Sequence, residues 1–395
     1  MKKILVIGAG VAGLSAAVRL QQLGYAVTLY EKESQPGGKM NQINKDGFTF
    51  DLGPTIVMMP EIYREVFEFC GKDPDDYIPM KKVDPMLKLY FNKERPLEFS
   101  NDLTELMRTL EDISSEDAQG YMAFLADIYK RYTIAKEAFI TKSFRGFWDF
   151  YNPKSLWAGI RLRTFSDAYS SISKFVKDER LRKSLAFQTL YIGVSPYQGP
   201  SLYTIIPMIE LFYGVYFIEG GMYTLATSLA KLFVELGGKI EYGTPVDELI
   251  IENKVAKGVR IGNEQVTADA IVCGADFPYA MQELIPDERK RGKYTNKKIE
   301  SMEYSCSCFL MYLGLDKRYP EEQLHSIYFA DDFKQNVDDL FEIGKLPEDP
   351  SFYLYRPSLM DQTLAPEGQE GLYVLVPVPE LSMYEDWSDA VVQEY

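Results

Sequence analysis

The sequence predicts an α/β fold interrupted by a long aromatic-rich insertion, and three observations carry that prediction. Ile4-Leu5-Val6-Ile7 is the short continuous apolar run of a strand buried on both faces, and it leads directly into Gly8-Ala9-Gly10-Val11-Ala12-Gly13 and a helical repeat. From about Ile56 to Phe217 the pattern shifts to longer helical segments loaded with aromatics, such as 103–110 and 121–138. From Gly220 to Asp276 the alternation of short strands and helix returns.

The elements follow in order. After the first strand, Gly13, Ala16, Ala17 and Leu20 recur at helical spacing, so the buried face of the first helix is small enough to approach a sheet closely. Gly24 stops that helix, and Ala26-Val27-Thr28-Leu29-Tyr30 reads as the second strand, ending on Glu31. Beyond the insertion a helix is expected over 225–236, with strands at 239–242, 249–251, 259–261 and 270–272. Residues after Pro278 are mixed, with strands expected at 309–313 and 372–376. Met1-Lys2-Lys3 precedes an apolar run as in a signal peptide, but glycines at nucleotide-motif spacing read it as strand, turn and helix. No stretch reaches the roughly 20 apolar residues of a spanning helix. The nearest, Tyr203 to Ile218, is interrupted by Pro207 and Glu210.

A chain of 395 residues has room for two or three packed units. Its net charge of −15 excludes nucleic acid as a partner, because phosphate binding draws its affinity from Lys and Arg. The 28 Tyr and 23 Phe exceed what a core alone asks for and point to an apolar cavity or an interfacial surface. Cys70, Cys273, Cys306 and Cys308 are too scattered for a disulfide framework and lack zinc spacing; they read as reduced core thiols of a cytosolic protein. The single histidine, His325, excludes a His-rich metal centre and reads as a surface or satisfied core residue. No metal is expected, and any chemistry belongs to an organic cofactor. Within 130–163 the basic residues Lys130, Arg131, Lys136, Lys142, Arg145, Lys154, Arg161 and Arg163 face only Glu137 and Asp149. They are interleaved with Phe144, Phe147, Trp148, Phe150, Tyr151 and Trp157, a composition suited to docking on an anionic membrane surface.

Gly8-x-Gly10-x-x-Gly13 between a strand and a helix, with an acid about 20 positions on, is specific for a dinucleotide. The glycines make the tight turn and let backbone N–H groups reach a pyrophosphate, which the helix N-terminus stabilises. Glu31 then accepts the ribose hydroxyls of the adenosine half. The sequel, Pro36-Gly37-Gly38-Lys39, resembles the second signature of glutathione-reductase-type and amine-oxidase-type flavoproteins, which implies FAD in a Rossmann-like fold. Lys39 stands where those families more often carry Arg, and Lys cannot make the planar fork.

At Phe48-Thr49-Phe50-Asp51-Leu52-Gly53-Pro54-Thr55 the chain resembles the bacterial carotenoid desaturases. Phe187-Gln188-Thr189-Leu190-Tyr191-Ile192-Gly193, Gly199-Pro200-Ser201-Leu202-Tyr203 and Gly220-Gly221-Met222-Tyr223 resemble the dehydrosqualene branch in particular. The resemblance implies a cofactor site of Gly8, Ala9, Gly10, Val11, Ala12, Gly13, Glu31, Lys32, Gly37, Gly38, Lys39, Gly53, Pro54, Thr55, Val246, Ala275 and Asp276, with Val246 meeting the adenine through its backbone. It divides the chain into a nucleotide-binding part at 1–55, a mainly helical, membrane-facing substrate part at 56–217, a second nucleotide-binding part at 218–277 and a further substrate part at 278–395. The implied substrate is a long acyclic polyprenoid, dehydrosqualene or phytoene, bound by burial of apolar area at about 25 cal/mol per Å². Phe187, Tyr191, Phe212, Tyr213, Tyr216 and Phe217 are the candidate lining, and Asp51 and Asp149 the candidate catalytic carboxylates. A cytoplasmic, peripherally membrane-associated desaturase is thus expected. The alternatives are a carotenoid oxidase or isomerase, an amine oxidase, or a flavin-free prenyl-lipid carrier. The helical pattern that starts after Ser388 stops within two turns, and the resemblance implies a continuation with a further glycine-rich FAD-contacting segment, so a C-terminally incomplete member that binds FAD weakly or not at all in isolation is also expected.

Overall fold

A computed structural model describes residues 1–92, 94–140, 146–153, 155, 157, 159, 162 and 166–395. The chain folds into two compact units, one of residues 1–82, 216–303 and 360–371, the other of residues 83–215, 304–359 and 372–395. The segment from Ile56 to Lys82, expected with the insertion, packs with the first unit.

The first unit is built on a four-stranded parallel sheet. Strand β1 (Lys3–Ile7) lies between β2 (Ala26–Tyr30) and the strand Ala270–Cys273, and Lys239–Glu241 joins on the far side of β2. The continuous apolar run of β1 follows from this central place, because alternate residues enter different cores. Ile4 and Val6 pack with Leu14, Ala17 and Val18 of helix α1 (Val11–Gln22) and with Leu225, Leu229 and Phe233 of the helix Tyr223–Glu235. Leu5 and Ile7 pack with Val246, Leu249, Val259 and Leu284, next to the three-stranded antiparallel sheet of Glu248–Glu252, Val255–Ile261 and Glu264–Thr267. The buried face of α1 is Gly13, Leu14, Ala17 and Val18, wider than the expected Gly13, Ala16, Ala17, Leu20 stripe. The helix packs both on the sheet and on Tyr223–Glu235, so two adjoining rows are covered.

The second unit holds a six-stranded mixed sheet, in the order Ser307–Leu315, Glu370–Val378, Phe352–Tyr355, His325–Tyr328, Leu87–Tyr90, Leu97–Phe99. Helices Leu103–Ile113 and Ser115–Ala135 follow, each opened by a side-chain N-cap, Asp102 and Ser114. Among its described residues the insertion is thus mostly helical but also contributes two strands to a sheet completed from the C-terminal part. Four free thiols are present; only Cys70 is buried, and Cys273 and Cys308 are exposed rather than core. Among the described residues no helix is long and apolar enough to cross a membrane.

Candidate functional site

The carboxyl ends of the parallel strands bring six short segments together. β1 runs into Gly8, and Gly274 donates its N–H to the Ile7 carbonyl at 2.8 Å, bringing Ala275 and Asp276 beside the same turn. Gly37 donates to the Ala9 carbonyl at 2.9 Å, and Gly38 lies against Gly10. Gly53, which leads into Pro54 and the buried Thr55, abuts the Lys39 carbonyl. Beyond β2, Gly243 and Thr244 donate to the carbonyls of Glu33 and Glu31 at 2.9 and 2.8 Å, so the chain up to the buried Val246 runs beside Glu31. Lys32 is exposed and pairs with Glu33 at 3.7 Å, while Lys39 and Asp276 form an exposed pair at 3.6 Å, an arrangement that contributes little to stability.

Two features test whether a dinucleotide fits. The first is space. A Cβ on Gly13 would lie 2.0 Å from the Gly8 carbonyl oxygen, so α1 and β1 are already in contact there, whereas a Cβ on Gly10 would meet nothing within 4 Å. Gly10 caps α1 without a side-chain hydrogen bond, so the N–H groups of the first turn open onto that space, where an anion is stabilised. The second is Glu31. It is buried, its Oε2 accepting the Ala9 N–H at 2.6 Å and its Oε1 accepting the Glu33 N–H at 2.9 Å. Each carboxylate oxygen keeps a further lone pair for a ribose hydroxyl. The residues fit the adenosine diphosphate half of FAD.

Asp51, on the strand Phe48–Leu52, is buried and accepts the N–H of Met222 at 2.9 Å and of Tyr223 at 3.2 Å. It thereby satisfies the start of the helix Tyr223–Glu235. Gly221, with φ +90°, leaves the room this needs, since a Cβ there would lie 2.6 Å from Asp51 Oδ2. Burial pushes the Asp51 carboxyl up to about 6 despite its two N–H donors. Asp149 lies elsewhere, in the second unit, on the exposed short helix Phe147–Phe150, where its Oδ2 accepts the Gly146 N–H at 2.9 Å.

The six candidate lining aromatics divide between the units. Phe187 and Tyr191, in edge-to-face contact at 5.5 Å on the turn Phe187–Ile192, belong to the second unit with Phe212 and Tyr213. Phe212 is half exposed and meets Tyr129, and Tyr213 meets Tyr132. Tyr216 and the buried Phe217 lie on the strand Val215–Ile218 in the first unit. Two buried polar residues of the second unit, His325 and Glu210, each carry a side-chain atom without a partner. His325 is wholly buried in its sheet, its Nδ1 2.7 Å from the Tyr353 hydroxyl and its Nε2 without a partner, and desolvation lowers it to about 3. Glu210 is buried on the helix Ile205–Tyr213. The available signal was that Glu210 is the one charged residue in the apolar stretch from Leu202 to Ile218.

Residues 11–381 match the model of the flavin containing amine oxidoreductases. The chain belongs to the flavin containing amine oxidoreductase family. It is 48% identical over 390 residues to a 4,4'-diapophytoene desaturase (4,4'-diaponeurosporene-forming) of Staphylococcus haemolyticus, covering 98% of this chain and 78% of that one. It is 46% identical to the enzyme of the same name from Staphylococcus aureus, covering 99% and 79%. A crystal structure of an oxidoreductase from Methanosarcina mazei shares the fold at a TM-score of 0.66 and 17% identity, covering 98% of this chain and 82% of that one. The protein is an FAD-dependent oxidoreductase of the desaturase branch.

Proposed function

We propose that the protein desaturates an acyclic polyprenoid of the 4,4'-diapophytoene kind, with Gly8 to Gly13 holding the pyrophosphate of FAD and Glu31 its ribose. The observation that supports this reading is the convergence of Gly8 to Gly13, Glu31, Gly37-Gly38, Gly53 and Gly274 to Asp276 at the carboxyl ends of the parallel strands, in a chain 48% identical to such a desaturase across 98% of its length. FAD, when bound, supplies the acceptor for the hydride leaving one C–H bond. The backbone of Val246, the Gly53-Pro54-Thr55 turn and Ala275-Asp276 complete the proposed cofactor contacts. Asp51 is proposed to act by position: with both carboxylate oxygens on backbone N–H groups, it ties its strand to the glycine turn at Gly220 and Gly221. A hydrocarbon offers no polar handle, so aromatic and aliphatic side chains must orient it and exclude water, the part proposed for Phe187, Tyr191, Phe212, Tyr213, Tyr216 and Phe217.

Membrane delivery of so apolar a substrate is part of the proposal. Phe147 and Trp148 are 64% and 77% exposed, Tyr151 and Trp157 are also exposed, and Phe147 stacks on Tyr151 at 4.4 Å, an aromatic surface suited to a lipid interface. Of the basic residues expected beside it, Arg131 is instead buried and hydrogen-bonded to Ser201. Lys142, Arg145, Lys154, Arg161, Arg163 and Phe144 lie outside the described residues. Incubation of the holoenzyme with 4,4'-diapophytoene in vesicles tests the reading: new conjugated polyene absorbance is expected, and unchanged substrate with the flavin retained would refute it.

A further inference from the structure

The helix Ile205–Tyr213 carries Glu210 into the interior of the second unit at 2% exposure. Gln188, on the turn Phe187–Ile192, donates its Nε2–H to Glu210 Oε2 at 2.6 Å. The Tyr191 hydroxyl faces the same carboxyl. Three buried polar atoms of this cluster, Glu210 Oε1, Gln188 Oε1 and Tyr191 Oη, have no partner at hydrogen-bonding geometry. From the helix Ser115–Ala135 the titratable group facing Glu210 is Tyr121, and from the strand Phe352–Tyr355 Tyr353 faces Tyr191. The buried cation on Ser115–Ala135, Arg131, turns to Asp127 at 3.3 Å and to Ser201 Oγ at 3.0 Å. Among the described residues no Lys or Arg forms an ion pair with Glu210.

A buried carboxylate without an ion-pair partner is costly even where the Gln188 amide and the Tyr191 hydroxyl can both donate to it, and the neutral acid avoids that cost. Oε2 is then the carbonyl that accepts from Gln188, and the Oε1 hydroxyl becomes a donor for the oxygen of Tyr191. We propose that Glu210, as a neutral carboxylic acid, is a positioning residue that locks the turn Phe187–Ile192 and so fixes Phe187 and Tyr191, and that its ionisation releases the turn. The role in catalysis rests on the proposed lining function of those two aromatics; the lock itself does not. Desolvation, outweighing Gln188 and Tyr191, pushes the Glu210 carboxyl up to about 8, which places the release just above neutrality.

The test uses the holoenzyme, E210Q and Y191F, with two readouts: amide hydrogen exchange over residues 187–193, corrected for intrinsic rates, and kcat against pH. In the wild type, exchange in the turn should rise and kcat fall roughly tenfold between pH 7 and pH 9, as the acid form becomes the minor one. E210Q keeps a neutral side chain at every pH and should show neither change. Y191F removes the acceptor and should raise exchange in the turn already at pH 7. Wild-type exchange that stays constant from pH 7 to pH 9, or an E210Q response equal to the wild type's, would overturn the lock. Expected exchange behaviour together with a pH-independent kcat would support the lock and overturn its role in substrate handling. No desaturation by any variant, with the exchange response intact, would overturn the proposed function and leave the lock supported.

Discussion

Replacing Gly10 and Gly13 separately distinguishes a cofactor cradle from a glycine-rich turn that only packs. Gly10 has φ −68° and ψ 167°, extended backbone open to any residue, and its Cβ would meet no protein atom within 4 Å. Gly10→Val therefore costs the fold little, below ~1 kcal/mol for a poorer residue at the start of α1. Its methyl groups enter the space assigned to the pyrophosphate, and a loss of at least ~100-fold in FAD affinity, ~2.7 kcal/mol, is expected. Gly13→Ala reverses the balance. Its Cβ would lie 2.0 Å from the Gly8 carbonyl oxygen, backbone that cannot rotate away, so α1 must shift from β1 at a cost of ~2 kcal/mol or more. Thermal melting of the flavin-free proteins and fluorescence titration with FAD read the two effects. Wild-type FAD affinity in Gly10→Val would refute the placement of the pyrophosphate, and a flavin-free Gly10→Val that melts as low as Gly13→Ala would refute the claim that the space is open.

Buried titratable groups give stability profiles of opposite sign. His325 is lowered from 6.5 to about 3, so the unfolded chain takes up the proton first, and stability present above about 6.5 is lost as pH falls through that window, by up to ~5 kcal/mol. His325→Phe should flatten the acid limb of urea midpoints, and an unchanged limb would contradict the burial. Asp51 is raised from 3.8 to about 6, so its stabilisation is present below 3.8 and is lost as pH rises through about 6, by ~3 kcal/mol. Asp51→Asn should remove that fall; an unchanged slope between pH 4 and pH 6.5 would count against it. Replacing Phe147 and Trp148 together by Ala should reduce flotation with anionic vesicles several-fold while leaving FAD content unchanged, and equal flotation would remove this surface from the membrane contact.

The nucleotide half was legible because its residues are local. One turn from Gly8 to Gly13 and the acid at the end of the next strand are fixed by helix and strand geometry within about 25 residues, and Ala9 and Glu31 meet as that geometry requires. The sequence singled out Asp51 as a candidate but did not show its partners, since Met222 and Tyr223 are 171 and 172 positions away and only the fold brings them together. The second unit was the least legible. Its sheet joins Leu87–Tyr90 in parallel to His325–Tyr328, across residues 91–324, and a strand pairing at that separation leaves no periodic trace. His325 and Glu210 were read through residue averages, under which a lone histidine is satisfied and a glutamate in an apolar run is an interruption. Burial gave both an unpaired atom that the averages do not foresee.

The most direct measurement follows flavin and polyene absorbance together in one anaerobic turnover, with FAD-loaded protein, 4,4'-diapophytoene in vesicles and no other electron acceptor. Loss of the oxidised flavin band in step with one new double bond per flavin, absent in Gly10→Val, is the expected result. Polyene formation with the flavin band unchanged, or equal polyene formation by wild type and Gly10→Val, would contradict it.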